Sequence, residues 1–163
     1  MQEDHGAEQY FFDEPTLARL GEFVLQHGGP SPVLLCAPML GQHLWERRHQ
    51  VTVLDIDTRF SGLPGFRRWD IHRPEPLLVK PSLILCDPPF FNVKLDRLYR
   101  ALTTLAWEDV SVPLALMWLT RREAALLGTL SRFGLRPTGF RPGYVSVGPD
   151  VGVQVYANLE GLP

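Results

Sequence analysis

Four short runs of the chain are apolar throughout or nearly so: Val33–Ala37, Val51–Leu54, Leu83–Cys86 and Pro113–Leu119. Each is bounded by proline, glycine or an acid, and their length and continuity predict strands buried on both faces. Phe66–Trp69 predicts a further short strand ending at Asp70, and Gly152–Ala157 a final one. Between these runs, apolar residues recur every three or four positions. Leu17, Leu20, Phe23 and Val24 share one helical face, with Asp13 as cap and Glu14 and Pro15 in the first turn. That helix should end near His27, before Gly28-Gly29-Pro30. Leu44–Arg48 predicts a helical turn. Lys94–Leu105 and Arg121–Phe133 predict helices, the second stopped by Gly134. Pro38–Gly41 is expected to be a turn and Ser61–Gly65 a loop, and Arg136–Gly148 is irregular and rich in glycine, proline and arginine.

Apolar strands alternating with amphipathic helices define an α/β chain with a mostly parallel sheet covered on both faces. The two terminal strand-like segments would close it as an antiparallel hairpin. A chain of 163 residues suits one domain, here 1–163 with residues 1–9 as a loose lead-in. A formal charge of -2 gives no global pull toward nucleic acid, so such a partner needs a local patch. Cys36 and Cys86 lie inside apolar runs and read as small hydrophobes. The five histidines and two cysteines show no metal-ligand spacing, and no metal is expected. No apolar stretch approaches the ~20 residues of a membrane helix, and no signal segment opens the chain. The expectation is a soluble, cytoplasmic protein with no membrane partner.

Candidate chemistry collects where strands end. In open sheets ligands occupy the crevice beyond the carboxyl ends of the strands. Four polar signals fall at such ends: Ala37-Pro38, Asp55 with Asp57, Asp70, and Asp87-Pro88-Pro89-Phe90. An acid ending the second strand suits two ribose hydroxyls, a role open to Asp55 or to Asp57, which could equally cap a helix. Asp70 could accept from an adenine amino group. The first turn, Cys36-Ala37-Pro38-Met39-Leu40-Gly41, lacks the G-x-G-x-x-G of a pyrophosphate cradle. An adenosine cofactor without phosphates, such as S-adenosylmethionine, fits that set.

The tetrad Asp87-Pro88-Pro89-Phe90 carries the reaction type. An aromatic amine is a poor nucleophile because its lone pair is delocalised into the ring. An acid and a carbonyl that both accept from it draw the nitrogen toward tetrahedral geometry, and prolines keep those acceptors still. Phe90 can stack on a planar base and set its angle of approach. A deprotonated lysine amine could use the same acceptors.

The tetrad resembles the catalytic motif of class I amino methyltransferases, notably the N6-adenine branch. Gln9-Tyr10-Phe11-Phe12, Val53–Phe60, Trp69-Asp70 and Val155–Asn158 are similar, in that order, to two groups of relatives. One is the zinc-knuckle ribosomal RNA adenine methyltransferases, the other the translation elongation factor lysine methyltransferases. The resemblance implies a Rossmann-like sheet of about seven strands with a reversed last strand, and S-adenosylmethionine as methyl donor. It implies that Asp55 holds the ribose, Asp70 the adenine edge, and Cys36, Ala37 and Pro38 the methionine part. Asp87, Pro88, Pro89 and Phe90 would form the catalytic loop, and Gln9, Tyr10, Phe11 and Phe12 would cover the cofactor. The zinc-knuckle cysteines are missing from this chain.

Expected acceptors are the N6 amine of adenine in nucleic acid, RNA ahead of DNA, or a lysine of a protein substrate. A third alternative is a silent methyltransferase-like scaffold subunit, against which the intact tetrad speaks. Arg59 and Arg121 are candidate substrate contacts, with Phe91 beside the tetrad. Tyr144 and Tyr156 carry no sequence signal for a role.

Overall fold

The computed structural model describes residues 1–147 and 151–162; Gly148, at the end of the glycine-rich stretch, lies outside them. Its elements are α1 (Glu14–His27), β1 (Pro32–Leu35), α2 (Pro38–Glu46), β2 (Thr52–Asp55), β3 (Phe66–Arg68) and β4 (Leu83–Cys86). After these come α3 (Leu95–Leu105), β5 (Leu114–Leu119), α4 (Glu123–Thr129), β6 (Arg136–Pro137) and β7 (Val153–Ala157). The seven strands form one sheet in the order β3-β2-β1-β4-β5-β7-β6. All neighbours are parallel except β7, which runs antiparallel to both β5 and β6. The mostly parallel sheet with a reversed last strand is therefore as expected.

Strict alternation along the buried strands sends side chains to two cores. Leu34, Val53, Leu85, Ala115 and Met117 meet Leu17, Leu20 and Phe23 of α1 and Leu40 and Leu44 of α2. Leu35, Leu54, Ile84, Leu116 and Trp118 meet Leu98, Leu102 and Leu105 of α3 and Leu126 of α4. Each such leucine contributes about 1.5–3 kcal/mol when fully buried, so the two layers clamp the sheet from both sides. Gly41 lets α2 approach β2 closely, because a β-carbon there would overlap Val53.

Three elements differ from the sequence expectation. Pro38–Gly41 is the first turn of α2, since proline suits the start of a helix as well as a turn. Arg121–Phe133 splits into a 3₁₀ turn at Thr120–Arg122, the short α4, and a second 3₁₀ turn at Ser131–Phe133. Residues 1–9 are tied down: Asp4 caps a 3₁₀ turn at His5–Ala7, and the segment crosses the carboxyl ends of the strands. No helix of the described residues is long and apolar enough to cross a membrane.

Strand order reverses between β1 and β4, so the chain leaves the sheet in opposite directions there and a crevice opens above the two strands. The next residues after both strands face this crevice. Cys36 donates its amide to the Leu54 carbonyl at 2.9 Å, and Asp87 donates its amide to the Leu35 carbonyl at 3.0 Å. The ladder thus fixes Cys36 beside β2 and Asp87 beside β1.

Candidate active site

A cavity of about 510 Å³ fills the crevice. Its floor and sides come from the strand ends: Cys36, Ala37 and Pro38 after β1, Asp55 and Asp57 at β2, and Asp87, Pro89 and Phe90 after β4. Gln9, Tyr10, Phe11 and Phe12 cover it from the N-terminal side. Phe91 and Arg121 stand at the rim, the ring exposed and the guanidinium 5.7 Å from its centroid. Residues scattered over more than a hundred positions therefore meet at one site.

Cys36 takes a left-handed backbone, φ 60°, where a glycine would ordinarily stand. The tight turn of a nucleotide-type fold is therefore present without its usual glycine signature.

Asp55 is buried at 8% exposure, and burial raises its pKa to about 6 against partial relief from the Asp57 amide, which donates to Oδ1 at 2.8 Å. Asp57 is the opposite case. Arg59 donates to both of its oxygens and Gln9 Nε2 to Oδ2 at 2.7 Å, and the arginine bond first of all holds its pKa down to about 2. Its acceptors are used within the protein, while Asp57 also caps the 3₁₀ turn at Thr58–Phe60. The same bonds commit Arg59: its remaining donors reach the Gln2 carbonyl and Gln9 Oε1. Arg59 lines the cavity as a latch to the N-terminal segment and has little left for a substrate phosphate.

Two expected site residues stand outside the lining. Pro88 is buried in the loop backbone. Asp70 turns to its own loop, accepting the His72 amide at 2.9 Å, because the chain bends sharply after Trp69.

Asp87 carries the larger upward shift of the two raised acids at the strand ends. It lines the cavity and keeps some accessible surface, yet the protein around it is close enough that burial raises its pKa to about 8. The Tyr144 hydroxyl donates to Oδ1 at 3.2 Å and counters part of that rise. Phe90 is held at both ends. Its ring meets Trp118 edge-on at 5.6 Å, and its carbonyl accepts from Arg122 Nη1 at 3.3 Å. Glu8 accepts the Phe91 amide at 3.0 Å, joining the N-terminal segment to the loop. Glu8 and Tyr144 carried no sequence signal, since each acts through a contact distant in sequence, and Arg122, one of the arginines that could have tracked a phosphate backbone, here donates to the Phe90 carbonyl.

The arrangement offers a carboxyl acceptor of adjustable protonation on a rigid loop, flanked by aromatic rings, beside a second buried acid. Among solved structures the fold resembles a TehB-like S-adenosylmethionine-dependent methyltransferase from Corynebacterium glutamicum, at 14% identity and TM-score 0.58, over 96% of this chain and 92% of that one. It also resembles magnesium protoporphyrin IX methyltransferase from Synechocystis with bound S-adenosylmethionine, at 15% identity and TM-score 0.56, over 88% and 78% of the two chains. The methyltransferase domain of bacterial CtHen1-CN is similar too, at 11% identity and TM-score 0.58, over 86% and 95%. A comparison with curated protein sequences returned no significant match. A family model described as "Probable N6-adenine methyltransferase" matches residues 3–161, nearly the whole chain. The chain belongs to that methyltransferase family, on the Rossmann-like fold its sheet order and reversed last strand define.

Proposed function

We propose that the chain uses S-adenosylmethionine to methylate the N6 amine of adenine in nucleic acid, with RNA the first choice. The observation that supports it most is the meeting of the Asp87 carboxyl, braced by Tyr144, with Phe90 and Phe91 in a single cavity.

The residues fit the cofactor. A cavity of this size takes a small molecule of nucleoside dimensions. Asp55 is a buried acceptor at the end of β2, suited to ribose hydroxyls, whereas Asp57 is already used by Arg59 and Gln9. The absence of a glycine-rich phosphate cradle matches a cofactor that carries no phosphate. When bound, S-adenosylmethionine supplies an electrophilic methyl group.

The protein supplies the rest. Asp87 accepts from the amine and aims its lone pair, and Phe90 sets the plane of the base. Asp55 and the Cys36–Pro38 turn would hold the cofactor, whose sulfonium would give up its methyl group to the amine nitrogen and keep the electron pair of the methyl–sulfur bond. The surplus N–H proton passes to Asp87 in the fraction of chains that carry it ionised, where its raised pKa makes it a stronger base than an ordinary aspartate. Gln9 to Phe12 exclude water above.

One observation favours a lysine acceptor instead. Asp4, Glu8, Asp55, Asp57 and Asp87 line the cavity against Arg59 and Arg121, and Arg59 is neutralised by Asp57. That excess of acid would attract a cationic side chain.

Transfer of label from tritiated S-adenosylmethionine into extract of the source cell, divided between nuclease and protease treatment, separates the two. Label lost to nuclease supports adenine. Label that survives nuclease and is lost to protease replaces it with lysine.

A further inference from the structure

Tyr144 comes from the irregular segment between β6 and β7, and its position is unusually well fixed for such a segment. Phe12 and Tyr144 form an antiparallel bridge. On either side, Asp13 donates its amide to the Gly143 carbonyl at 2.9 Å, and Val145 donates to the Phe11 carbonyl at 2.8 Å. The Gly143 amide donates to Thr16 Oγ1 at 2.8 Å, which ties the segment to the first turn of α1. Gly143 is needed there, because a β-carbon would overlap the Asp13 carboxylate. The phenol is 4% exposed, with its ring against Phe12 at 5.3 Å between centroids. Among the described residues, its hydroxyl is the sole hydrogen-bond donor to the Asp87 side chain.

We propose that Tyr144 is the positioning residue of the catalytic loop, holding Asp87 Oδ1 so that Oδ2 stays turned to the acceptor amine. The inference rests on the reading of Asp87 as the amine's hydrogen-bond acceptor, and holds equally for adenine and lysine. Only the ionised carboxyl accepts through both oxygens and can take up the amine's surplus proton. In this cavity burial works against ionisation, and the phenol is the protein group that opposes burial most. Asp55, the other acid acting on Asp87, pushes its pKa further up. Losing a hydrogen bond to a charged group moves its pKa by roughly one to two units. Tyr144 thus sets the fraction of chains that carry a competent acceptor at neutral pH, and the N-terminal segment enters the chemistry by seating it.

The test is a carbon-13 titration of the Asp87 carboxyl in the cofactor-free chain, wild type against Tyr144→Phe, with unfolding midpoints to confirm folding. The midpoint is expected to rise by about one unit or more in Tyr144→Phe. Turnover at pH 7 should fall roughly tenfold and the deficit should close as pH is raised past the new midpoint, a recovery that a merely structural lesion would not show. An unchanged midpoint, or a deficit constant with pH, overturns the proposal. Should Tyr144→Phe not fold, Thr16→Val, which removes the hydroxyl holding Gly143, must raise the same midpoint in part, and no shift counts against the proposal. Asp87→Asn separates the two levels. Full transfer by Asp87→Asn would refute the proposed chemistry, whereas a dead Asp87→Asn beside an unaltered Tyr144→Phe would refute the role of Tyr144 alone.

Discussion

The Glu8 carboxylate accepts the backbone N–H of Phe91 through both oxygens, at 3.0 and 3.1 Å. The segment that roofs the cavity is thereby fastened to the residue that follows the catalytic tetrad. Removing that bond should loosen the roof while leaving the two cores intact. Glu8→Ala is expected to weaken cofactor affinity roughly three- to tenfold by calorimetry, about one solvent-exposed hydrogen bond, with little change in unfolding midpoint. Unchanged affinity would remove the roof from cofactor retention.

Arg59 provides a second separation. Its guanidinium is shared among Asp57, Gln9 and the Gln2 carbonyl, all within the protein. Arg59→Ala should therefore weaken cofactor binding and leave the salt dependence of nucleic-acid binding as it was, since no phosphate contact is lost. Arg121→Ala should reduce the magnitude of that slope by about one. A shallower slope in Arg59→Ala would make this arginine a phosphate ligand after all.

Backbone geometry at the first turn is open to a stability measurement. Cys36 sits at φ 60°, a region costly for a β-branched residue. Denaturant unfolding is expected to show Cys36→Val less stable by about 1–3 kcal/mol and Cys36→Gly within about 1 kcal/mol of wild type. Equal stability of the two variants would mean that the turn relaxes at no cost.

Stability of the ligand-free chain should depend on pH with a definite sign. Asp87 and Asp55 keep their protons in the folded chain up to about 8 and about 6, whereas an unfolded aspartate releases its proton near about 3.9. The folded chain binds more protons over those windows, so the stability they contribute is present at low pH. It is lost as pH rises through 6 for Asp55 and through 8 for Asp87. Asp57, held down to about 2, acts with the opposite sign: its contribution is present above about 3.9 and is lost as pH falls toward 2. The unfolding midpoint should decline between about pH 4 and 8, most steeply below 6, and Asp87→Asn should flatten the upper half of that decline. Parallel curves for the two proteins would show that Asp87 is not held protonated.

Much of this was legible in the sequence where chemistry is local. Asp13 accepts the Thr16 amide at 3.0 Å and α1 starts and stops where its cap and Gly28 dictate. The apolar runs became β1, β2, β4 and β5 because a strand buried on both faces needs no alternation. Proline misled at Pro38, where it opens a helix. Asp55 and Asp87 were visible as acids at strand ends, and the ladder brought them to one cavity. The sequence could not separate Asp55 from Asp57, because the difference lies in Arg59 and Gln9 taking the second carboxylate. Nor did it mark Tyr144, whose partner Asp87 lies 57 residues away and whose seat is made by residues 11–16.

The most direct measurement compares wild type with Asp87→Asn, reading S-adenosylmethionine affinity by calorimetry and methyl transfer by single-turnover label release. The substituted amide would keep the shape of the carboxylate and lose its acceptor charge. Cofactor affinity is expected to stay within roughly threefold of wild type while transfer falls by at least about a thousandfold, the scale of one lost electrostatic contact to a reacting group. Transfer at near wild-type rate by the asparagine variant would contradict the role given to Asp87 and the chemistry built on it.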